Sequence, residues 1–552
     1  MKKYSIIFSI ALTALAFNSC NKWLEENKYG SLSVDMFNAE ANIIRLVGQA
    51  YADLKWLHDH WGYWGILTLS SDEAVNPTRM PESHWADGGY WRAFAGHDWS
   101  PWDRSFENLW NTSMAGAVGC NKILQTLAEK KEVISEQLYG EYVGELEVLR
   151  TFYFFTLFDC FGRIPYTETF DENLHIPLLS VEETWHKMIA CLERNAPNMK
   201  VVTPANRAEL HGRVTQGFAY ALLARLYLNA ESYSVTVPNA MEKVIEYTEE
   251  IIASGSYQIE NDFFANFSIY NEESRENIFV IVENGDANFD VRHSGNMMNK
   301  LRIVMLTMPY AIQDIYNMRL NCWNGFCAPP EFTKLYETLD ETVDRRGPVP
   351  GDSGTLATGR WGWFVGEVKN PGAETNTSRE PRFIRPTVSS LSAADWGDGA
   401  RLWKFEIDRE SKYMYCENDF PLFRYADVLY MKAEAQLRKN GTTTLLGDAD
   451  FDRIRVRAGV KPYTSTTLHT GNFETELLAE RGREFAWELV RRRDLIRFGK
   501  YSDPAWWATS ASWRGPVRTD PFREWFPIPG AVLMRSHVGD DGENIWTQNF
   551  GY

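Results

Sequence analysis

The residues best suited to chemistry in this 552-residue chain are tryptophans that cluster with polar side chains near its N-terminus. Eight of the 21 tryptophans lie between Trp56 and Trp110. Forked or planar polar groups stand among them: Asp72, Glu73, Asn76, Arg79, Asp87, Arg92 and Asp103. A pyranose ring has an apolar C–H face and a rim of hydroxyls, so indoles cover the face while polar groups bond the hydroxyls. The pattern favours carbohydrate binding. The alternative is that irregular loops bury these rings as small local cores.

A second aromatic loop covers residues 321–327, where Trp323 stands between two asparagines and close to a glycine. Such a tryptophan is hard to bury in a helix or strand and suits a protruding platform. Packing down onto the rest of the protein is the alternative. Cys322 and Cys327 flank this loop, and a local disulfide between them is an open option in an oxidising compartment. Cys120, Cys160 and Cys191 fall in helical segments and are expected in the core.

Motifs for catalysis are missing from the sequence. We find no nucleophile elbow, phosphate loop or zinc-binding helix, and with 74 acidic residues the spacing alone cannot nominate a carboxylate pair. We therefore predict a protein that is not an enzyme, with an extracellular glycoside hydrolase as the alternative. Arg491–Arg493 share an apolar-periodic segment with Glu480, Glu484 and Glu488, which predicts i,i+4 ion pairs on one helix.

The only metal motif is weak. Asp286, Asn288 and Asp290 begin like a calcium loop, but there is no glycine at the sixth position and Met297 occupies the twelfth. An EF-hand is excluded and an irregular calcium site stays open. No other cofactor is expected.

The N-terminus carries a lipoprotein signal. Two lysines, an apolar run to Phe17 and a small residue before Cys20 predict a signal peptide over residues 1–19. The mature chain, 20–552, would be anchored to outer-membrane lipid by acylation of Cys20 and would face the outside of the cell. Plain secretion is the alternative. The formal net charge of −17 argues against a nucleic-acid partner.

Helical periodicity dominates the rest of the chain and predicts a mostly α fold, a helical-pair solenoid. The helical body is expected mainly in 35–56, 105–255 and 420–500, with ligand-face insertions mainly in 57–104 and 257–410. The periodic segments are Asp35–Trp56, Ser105–Lys130, Ser135–Phe161, Val181–Glu193, Val214–Tyr233, Ala240–Ala253, Tyr425–Lys439 and Phe473–Phe498. Ile278–Glu283 and Leu402–Ile407 are expected to form strands in small sheets.

Several motifs resemble those of one family when read in order behind the lipoprotein signal. They are residues 149–153 and 161–166, then 221–228, 423–435, 480–485, 493–495 and 526–529, with the closing Gln548-Asn549-Phe550-Gly551-Tyr552. In this order they resemble the SusD/RagB family of outer-membrane glycan-capture lipoproteins.

The resemblance implies a tetratricopeptide-like body that carries a ligand face made of loops. It also implies a lid role over a SusC-like TonB-dependent transporter that imports the captured oligosaccharide. Residues 71–102 are similar to the starch-binding branch. By that likeness Trp99, Trp102 and Trp323 form a stacking arc, Asp72 and Arg79 bond hydroxyls, and Trp85 belongs to the same segment. Where that branch has a further aromatic this chain has Asn296, Met297 and Met298, which leaves open a glycan other than starch. A peptide-capturing member of the same family is a further alternative.

Overall fold

The computed structural model describes residues 40–80, 85–171, 176–283, 302–309, 322–337, 342–351, 361–368, 382–407, 417–441, 447–464, 472–536 and 546–552. Cys20 and the calcium candidates Asp286, Asn288 and Asp290 lie outside the described residues. The helices within these ranges are α1 Glu40–Gln49, α2 Tyr63–Leu69, α3 Tyr90–Ala95, α4 Arg104–Glu129, α5 Glu136–Phe161, α6 Val181–Asn195, α7 Arg207–Leu210, α8 Gln216–Leu228, α9 Ala240–Ala253, α10 Ile303–Thr307, α11 Pro330–Thr333, α12 Tyr425–Asn440, α13 Ala449–Arg457, α14 Phe473–Glu484, α15 Arg491–Arg497, α16 Pro504–Ala508, α17 Ala511–Arg514 and α18 Gly530–Arg535.

Long helices pack in pairs, as the periodicity predicted. Helix α4 packs on α5, α5 on α6, α6 on α8, α8 on α9, and α9 on α12. Helix α5 is buried on almost every side along its second half, which is the place of a central helix in a large core. Of the helices in the described ranges, none is long and apolar enough to cross a membrane.

Local signals fix the ends of α5 and α6. Ser135 caps α5 by accepting a bond from the Leu138 N–H, and Gly162 ends it with a φ of +71°, a conformation that costs glycine little. Ser180 and Glu183 form a capping box at the start of α6. These ends agree with the sequence prediction to within one or two residues.

Two small sheets complete the core. Strands β1 Asn277–Ile281 and β6 Phe420–Arg424 pair antiparallel, and the rings of Phe279 and Phe423 both contact Phe218 on α8. The second sheet contains β2 Pro348–Gly351, β3 Trp363–Val368, β4 Arg382–Ile384 and β5 Arg401–Leu402, in which β3 pairs with each of the others. Of the strand predicted at Leu402–Ile407 only Leu402 lies in a strand, the short β5, so the prediction is wrong for the other five residues.

The long helix predicted over Phe473–Phe498 is wrong. It is divided into α14 and α15 by a turn in which Trp487 and Leu489 have φ values of +62° and +71°. Neither residue prefers this backbone region, so tertiary contacts must hold the turn. The Trp487 N–H donates to Glu73 Oε2 at 2.7 Å, its indole N–H donates to the Glu73 carbonyl at 2.9 Å, and the Trp64 indole donates to the Trp487 carbonyl.

The ion pairs predicted for this helix are wrong for the same reason. Arg491 pairs with Asp72, Arg493 pairs with Asp159, and Arg492 donates to backbone carbonyls. The glutamates instead accept bonds from basic residues of other elements. Glu480 pairs with Arg346, Glu484 with Arg346, Arg424 and Arg457, and Glu488 with Lys404 and Arg424. All of these side chains except the partly exposed Asp72 are buried, so the network is a polar core rather than a solvated face.

Candidate functional site

The two insertions expected to form a ligand face meet in the structure. The Val75 N–H donates to the Cys327 carbonyl and the Cys327 N–H donates to the Val75 carbonyl, each at 2.9 Å. This isolated antiparallel bridge joins the 57–104 insertion to the loop that carries Trp323. Cys322 and Cys327 are buried and are not in a disulfide, so the open option of a disulfide is not realised. Cys120, Cys160 and Cys191 are buried, as expected.

Trp85 and Trp323, nominated from separate loops, form a ring pair. Their centroids are 5.1 Å apart and the rings are tilted by 54°. Both are partly exposed. The loop approaches this closely because Gly325 lies against Trp85: a Cβ at Gly325 would be 2.4 Å from the Trp85 ring. Backbone bonds from Trp323 N–H to Met305 O and from Gly325 N–H to Leu306 O fix the loop on α10.

A second pair of partly exposed rings, Trp61 and Tyr90, lies beside the first, with centroids 5.2 Å apart. The buried His60 ring joins the pairs, since it lies 5.4 Å from Trp61 and 5.3 Å from Trp85. We call Trp61, Trp85, Tyr90 and Trp323 the aromatic arc. Buried Trp91 contacts Trp61 and Tyr90, and buried Phe326 contacts Trp85. The two buried rings also contact each other, so the arc rests on a packed floor.

Asp87 fixes the orientation of two indoles. Its Oδ1 accepts from the Trp85 indole N–H and its Oδ2 from that of Trp91, each at 2.8 Å. The residue has a φ of +45° and begins a short turn that leads into α3. Because the polar edge of Trp85 is held by protein, its ring face is the part left for a ligand.

Arg104 lies at one end of the arc. Its guanidinium carbon is 4.6 Å from the Trp61 ring centroid, within cation–π distance, and its side chain is exposed. The neighbouring Tyr90 hydroxyl is within hydrogen-bond distance of Ser105 Oγ at 3.2 Å, and burial raises the pKa of this tyrosine to about 12. Tyr90 is therefore a neutral donor and acceptor near neutral pH.

Three of the six nominated ligand residues are structural, which corrects their predicted roles. Trp99 is 5% exposed, because its indole donates to the Tyr552 hydroxyl at 2.7 Å and packs edge-on against Phe526. No face of Trp99 is open for stacking on a sugar.

Arg79 and Asp72 are also used within the protein. Arg79 is 0% exposed and donates to the backbone carbonyls of Pro77, Trp396 and Asp398. Asp72 accepts two bonds from Arg491, at 2.7 and 2.9 Å. Arg79 thus ties this insertion to the second insertion, and Asp72 ties it to α15, so neither residue is presented to hydroxyls.

Trp102 is exposed, as predicted, but stands apart from the arc. Its side chain is 65% exposed and its ring rests on Gly530 of α18. Within the described ranges no ring contact joins it to Trp85 or Trp323. It precedes Asp103 and Arg104, which brings an open indole to the same end of the site.

Sequence reasoning counted Trp61 within the tryptophan cluster without choosing it and did not consider Tyr90 or Arg104. The signal that could have found Tyr90 is the segment from Trp85 to Trp91, where three rings and two glycines surround Asp87. Among the described residues, no group of three or more His, Cys, Asp or Glu side chains is placed to hold a metal ion.

Comparisons with known proteins place this geometry in context. A family model described as the SusD family matches residues 276–552, and one described as "Starch-binding associating with outer membrane" matches residues 22–228. The starch-binding protein SusD of Bacteroides thetaiotaomicron is 23% identical over 439 residues, covering 74% of this chain and 72% of that protein. SusD-like protein P25 of Formosa agariphila is 22% identical, and the match covers 98% of this chain and 100% of that protein.

Solved structures agree on the fold. A SusD superfamily protein from Parabacteroides distasonis superposes with a TM-score of 0.70 at 20% identity, over 95% of this chain and 100% of that one. Surface glycan-binding protein A from Bacteroides thetaiotaomicron, in complex with laminarihexaose, superposes with a TM-score of 0.67 at 19% identity. That match covers 93% of this chain and 99% of the other. The mostly helical fold and the family inferred from sequence motifs are both confirmed. Since the first family model alone spans half of the chain, this protein belongs to the SusD family.

Proposed function

We propose that this protein is a cell-surface glycan-binding lipoprotein that captures oligosaccharides on the aromatic arc and does not cleave them. The observation that carries the proposal is the arc itself, in which four partly exposed rings from two insertions rest on a packed aromatic floor. Rings held in this way lose little side-chain entropy on binding, so apolar C–H faces of sugars dock on them at low cost.

Relatives support the ligand class. One similar protein is named as starch-binding, and solved neighbours include a surface glycan-binding protein holding laminarihexaose and a laminarin-binding SusD-like protein. Because those ligands are glucans, glucans are the first probes to use. Their linkages differ, so the ring spacing of this arc selects among them.

The anchor and the partner complete the proposal. Acylation of Cys20 would hold the mature chain on the outer membrane, in line with the family description "associating with outer membrane". There the protein would act as a lid over a SusC-like TonB-dependent transporter and pass the captured oligosaccharide to it. Modest affinity suits that handover, because a ligand held too tightly would not be released.

The test is binding to a glycan panel by the wild-type protein and four variants, measured by affinity electrophoresis and calorimetry. Trp323→Ala and Trp85→Ala should each lower the affinity for the best glycan by at least about tenfold, in keeping with an aromatic hot spot. Trp323→Phe should retain part of the affinity. Trp506→Ala is the matched control, since Trp506 is a partly buried indole on α16 outside the arc.

Two results would contradict the proposal. One is wild-type protein that binds none of the neutral or acidic glycans. The other is Trp323→Ala and Trp85→Ala proteins that are folded, by their melting curves, and bind like wild type. Release of reducing ends from the best glycan would instead identify a hydrolase.

A further inference from the structure

The described part of the chain gives Arg104 no anionic partner. Its guanidinium is exposed and is held against the face of Trp61 at 4.6 Å, and no salt bridge or side-chain hydrogen bond to it is recorded. When a guanidinium stacks on a ring, its N–H donors point outward in the plane of the guanidinium. Donors arranged in this way can bond two oxygens of a carboxylate or a sulfate.

The nearby carboxylates are all committed elsewhere. Asp87 accepts from the indoles of Trp85 and Trp91, and Asp103 accepts from the Ser100 N–H at 2.9 Å. Asp98 pairs with Arg518 at 2.8 Å, and Glu107 pairs with Arg535. None of these four carboxylates forms an ion pair with Arg104, so its guanidinium keeps its N–H donors for a ligand.

The position of this charge makes it useful. The guanidinium covers one face of Trp61 and so lies at the Trp61 end of the aromatic arc. Asn108, one turn further along α4, donates to the Trp61 carbonyl at 3.4 Å and helps to hold that residue in place. A sugar seated on Trp85 or Tyr90 would extend its next residue toward Arg104.

We propose that the Arg104 end of the aromatic arc binds an oxyanion carried by the glycan, a uronate carboxylate or a sulfate ester, so that the preferred ligands are acidic oligosaccharides. This inference rests on the proposed function and narrows it. The contact is charge-assisted and therefore selective between glycans with the same backbone.

The test uses three forms of one backbone: laminarin, laminarin oxidised at C6 to the carboxylate, and sulfated laminarin. Wild-type protein should bind at least one acidic form about tenfold more tightly than laminarin at low salt, and high salt should reduce this preference. Whichever acidic form is preferred identifies the source of the oxyanion. Arg104→Gln should lower the ratio to near one while leaving the affinity for unmodified laminarin close to wild type.

Two controls separate a specific contact from general charge. Arg104→Lys keeps the charge without the planar fork and should restore only part of the preference. Arg275→Gln removes another exposed positive charge, two residues before β1 and outside the arc, and should leave the preference unchanged.

The inference is overturned if wild type binds laminarin as tightly as both acidic forms, or if Arg104→Gln keeps the full preference. It is also overturned if Arg104→Gln weakens binding of laminarin and of the acidic forms equally, because Arg104 would then bond hydroxyls. Binding of laminarin without an acidic preference leaves the proposed function standing, so the two failures are distinct. Failure to bind any of the three forms, or any glycan of the wider panel, overturns both.

Discussion

Glu73 is the residue through which the first insertion holds the turn between α14 and α15. It is 1% exposed and accepts the Trp487 N–H, and burial raises the pKa of its carboxyl to about 8. The charged groups nearest to it are Arg491 and Lys404, which lower this pKa, and Asp72, which raises it. A carboxyl in this setting is protonated in the folded protein at neutral pH and ionised in the unfolded chain.

The sign of the resulting pH dependence follows from this shift. Because the folded pKa lies above the unfolded value, the Glu73 contribution to stability is lost as the pH rises from about 4.5 to about 8, at up to about 1.4 kcal/mol per pH unit. Glu73→Gln keeps an oxygen acceptor for Trp487 and cannot ionise. We expect the variant to lose less stability than wild type over this window, as measured by urea unfolding at a series of pH values.

The difference in unfolding free energy between wild type and Glu73→Gln at each pH reports on Glu73 alone, because the other titrating groups are the same in both proteins. Equal slopes of unfolding free energy against pH would show that Glu73 is ionised in both states, and would contradict the prediction.

Residue types in the sequence indicated the ligand face but not which rings are exposed on it. Trp99 and Trp102 stand three residues apart in one loop, yet one is covered by the C-terminal Tyr552 and the other is open. No local pattern encodes that difference, because Tyr552 arrives from the far end of the chain. Arg79 and Asp72 were misjudged for the same reason, since their partners are carbonyls and an arginine distant in sequence.

At the scale of elements, the close approach of the Trp323 loop to Trp85 depends on a missing side chain. Gly325→Ala would place a methyl group 2.4 Å from the Trp85 ring and 2.9 Å from the Leu306 carbonyl. We expect the variant to lose about 1–3 kcal/mol of stability. It should also lose most of the glycan affinity, because the Trp85–Trp323 pair must separate.

Denaturant unfolding and the glycan titration measure these two effects. Gly119→Ala is the control, because a Cβ there meets nothing within 4 Å. Unchanged stability and affinity in Gly325→Ala would show that the loop can shift without cost.

Helix α14 is held to its neighbours by buried charges as well as by apolar contacts. Glu484 bonds Arg346 in the segment before β2, Arg424 of β6 and Arg457 of α13. Glu484→Gln leaves these guanidinium groups short of one negative charge, and loss of a partner from a buried ion pair costs about 3–5 kcal/mol. Glu474→Gln, at an exposed position of the same helix, should change stability by less than about 0.5 kcal/mol. Denaturant unfolding measures the free energy of unfolding of both variants. If both lose less than about 0.5 kcal/mol, the buried ion pairs of Glu484 do not stabilise the protein as predicted.

The elements themselves were largely predictable. Caps such as Ser135 and Gly162 are local, so α5 ends where the sequence indicated. The break at Trp487 was not predictable because apolar periodicity continues through it without glycine or proline. Its cause is a set of hydrogen bonds that Trp487 donates to Glu73 and accepts from Trp64, two residues more than 400 positions away in the sequence.

For the whole molecule, the buried ion pairs predict a defined response to acid. Pairing with arginines lowers the pKa of Asp427, Glu434 and Glu484 to about 2 each. A depressed folded pKa gives stability that is present above the unfolded value and is lost as the pH falls from about 4.5 toward 2. We expect the melting temperature, followed by circular dichroism, to fall steeply below about pH 4.5. A melting temperature that is constant down to about pH 3 would contradict this.

The proposed acyl anchor can also be tested on the whole chain. Cys20→Ala protein should not incorporate an alkynyl palmitate label in cells and should leave the membrane fraction. Cys120→Ala, which changes a buried thiol in α4, should keep both the label and the membrane fraction. Labelling of the Cys20→Ala protein would place the acyl chain elsewhere.

The bridge between Val75 and Cys327 has a consequence for biogenesis. Its two residues are separated in the chain by helices α3 to α10, so closing the bridge is a long-range event that follows the folding of local helical pairs. The aromatic arc takes Trp61, Trp85 and Tyr90 from one side of this bridge and Trp323 from the other, so the arc is complete only after those pairs have folded.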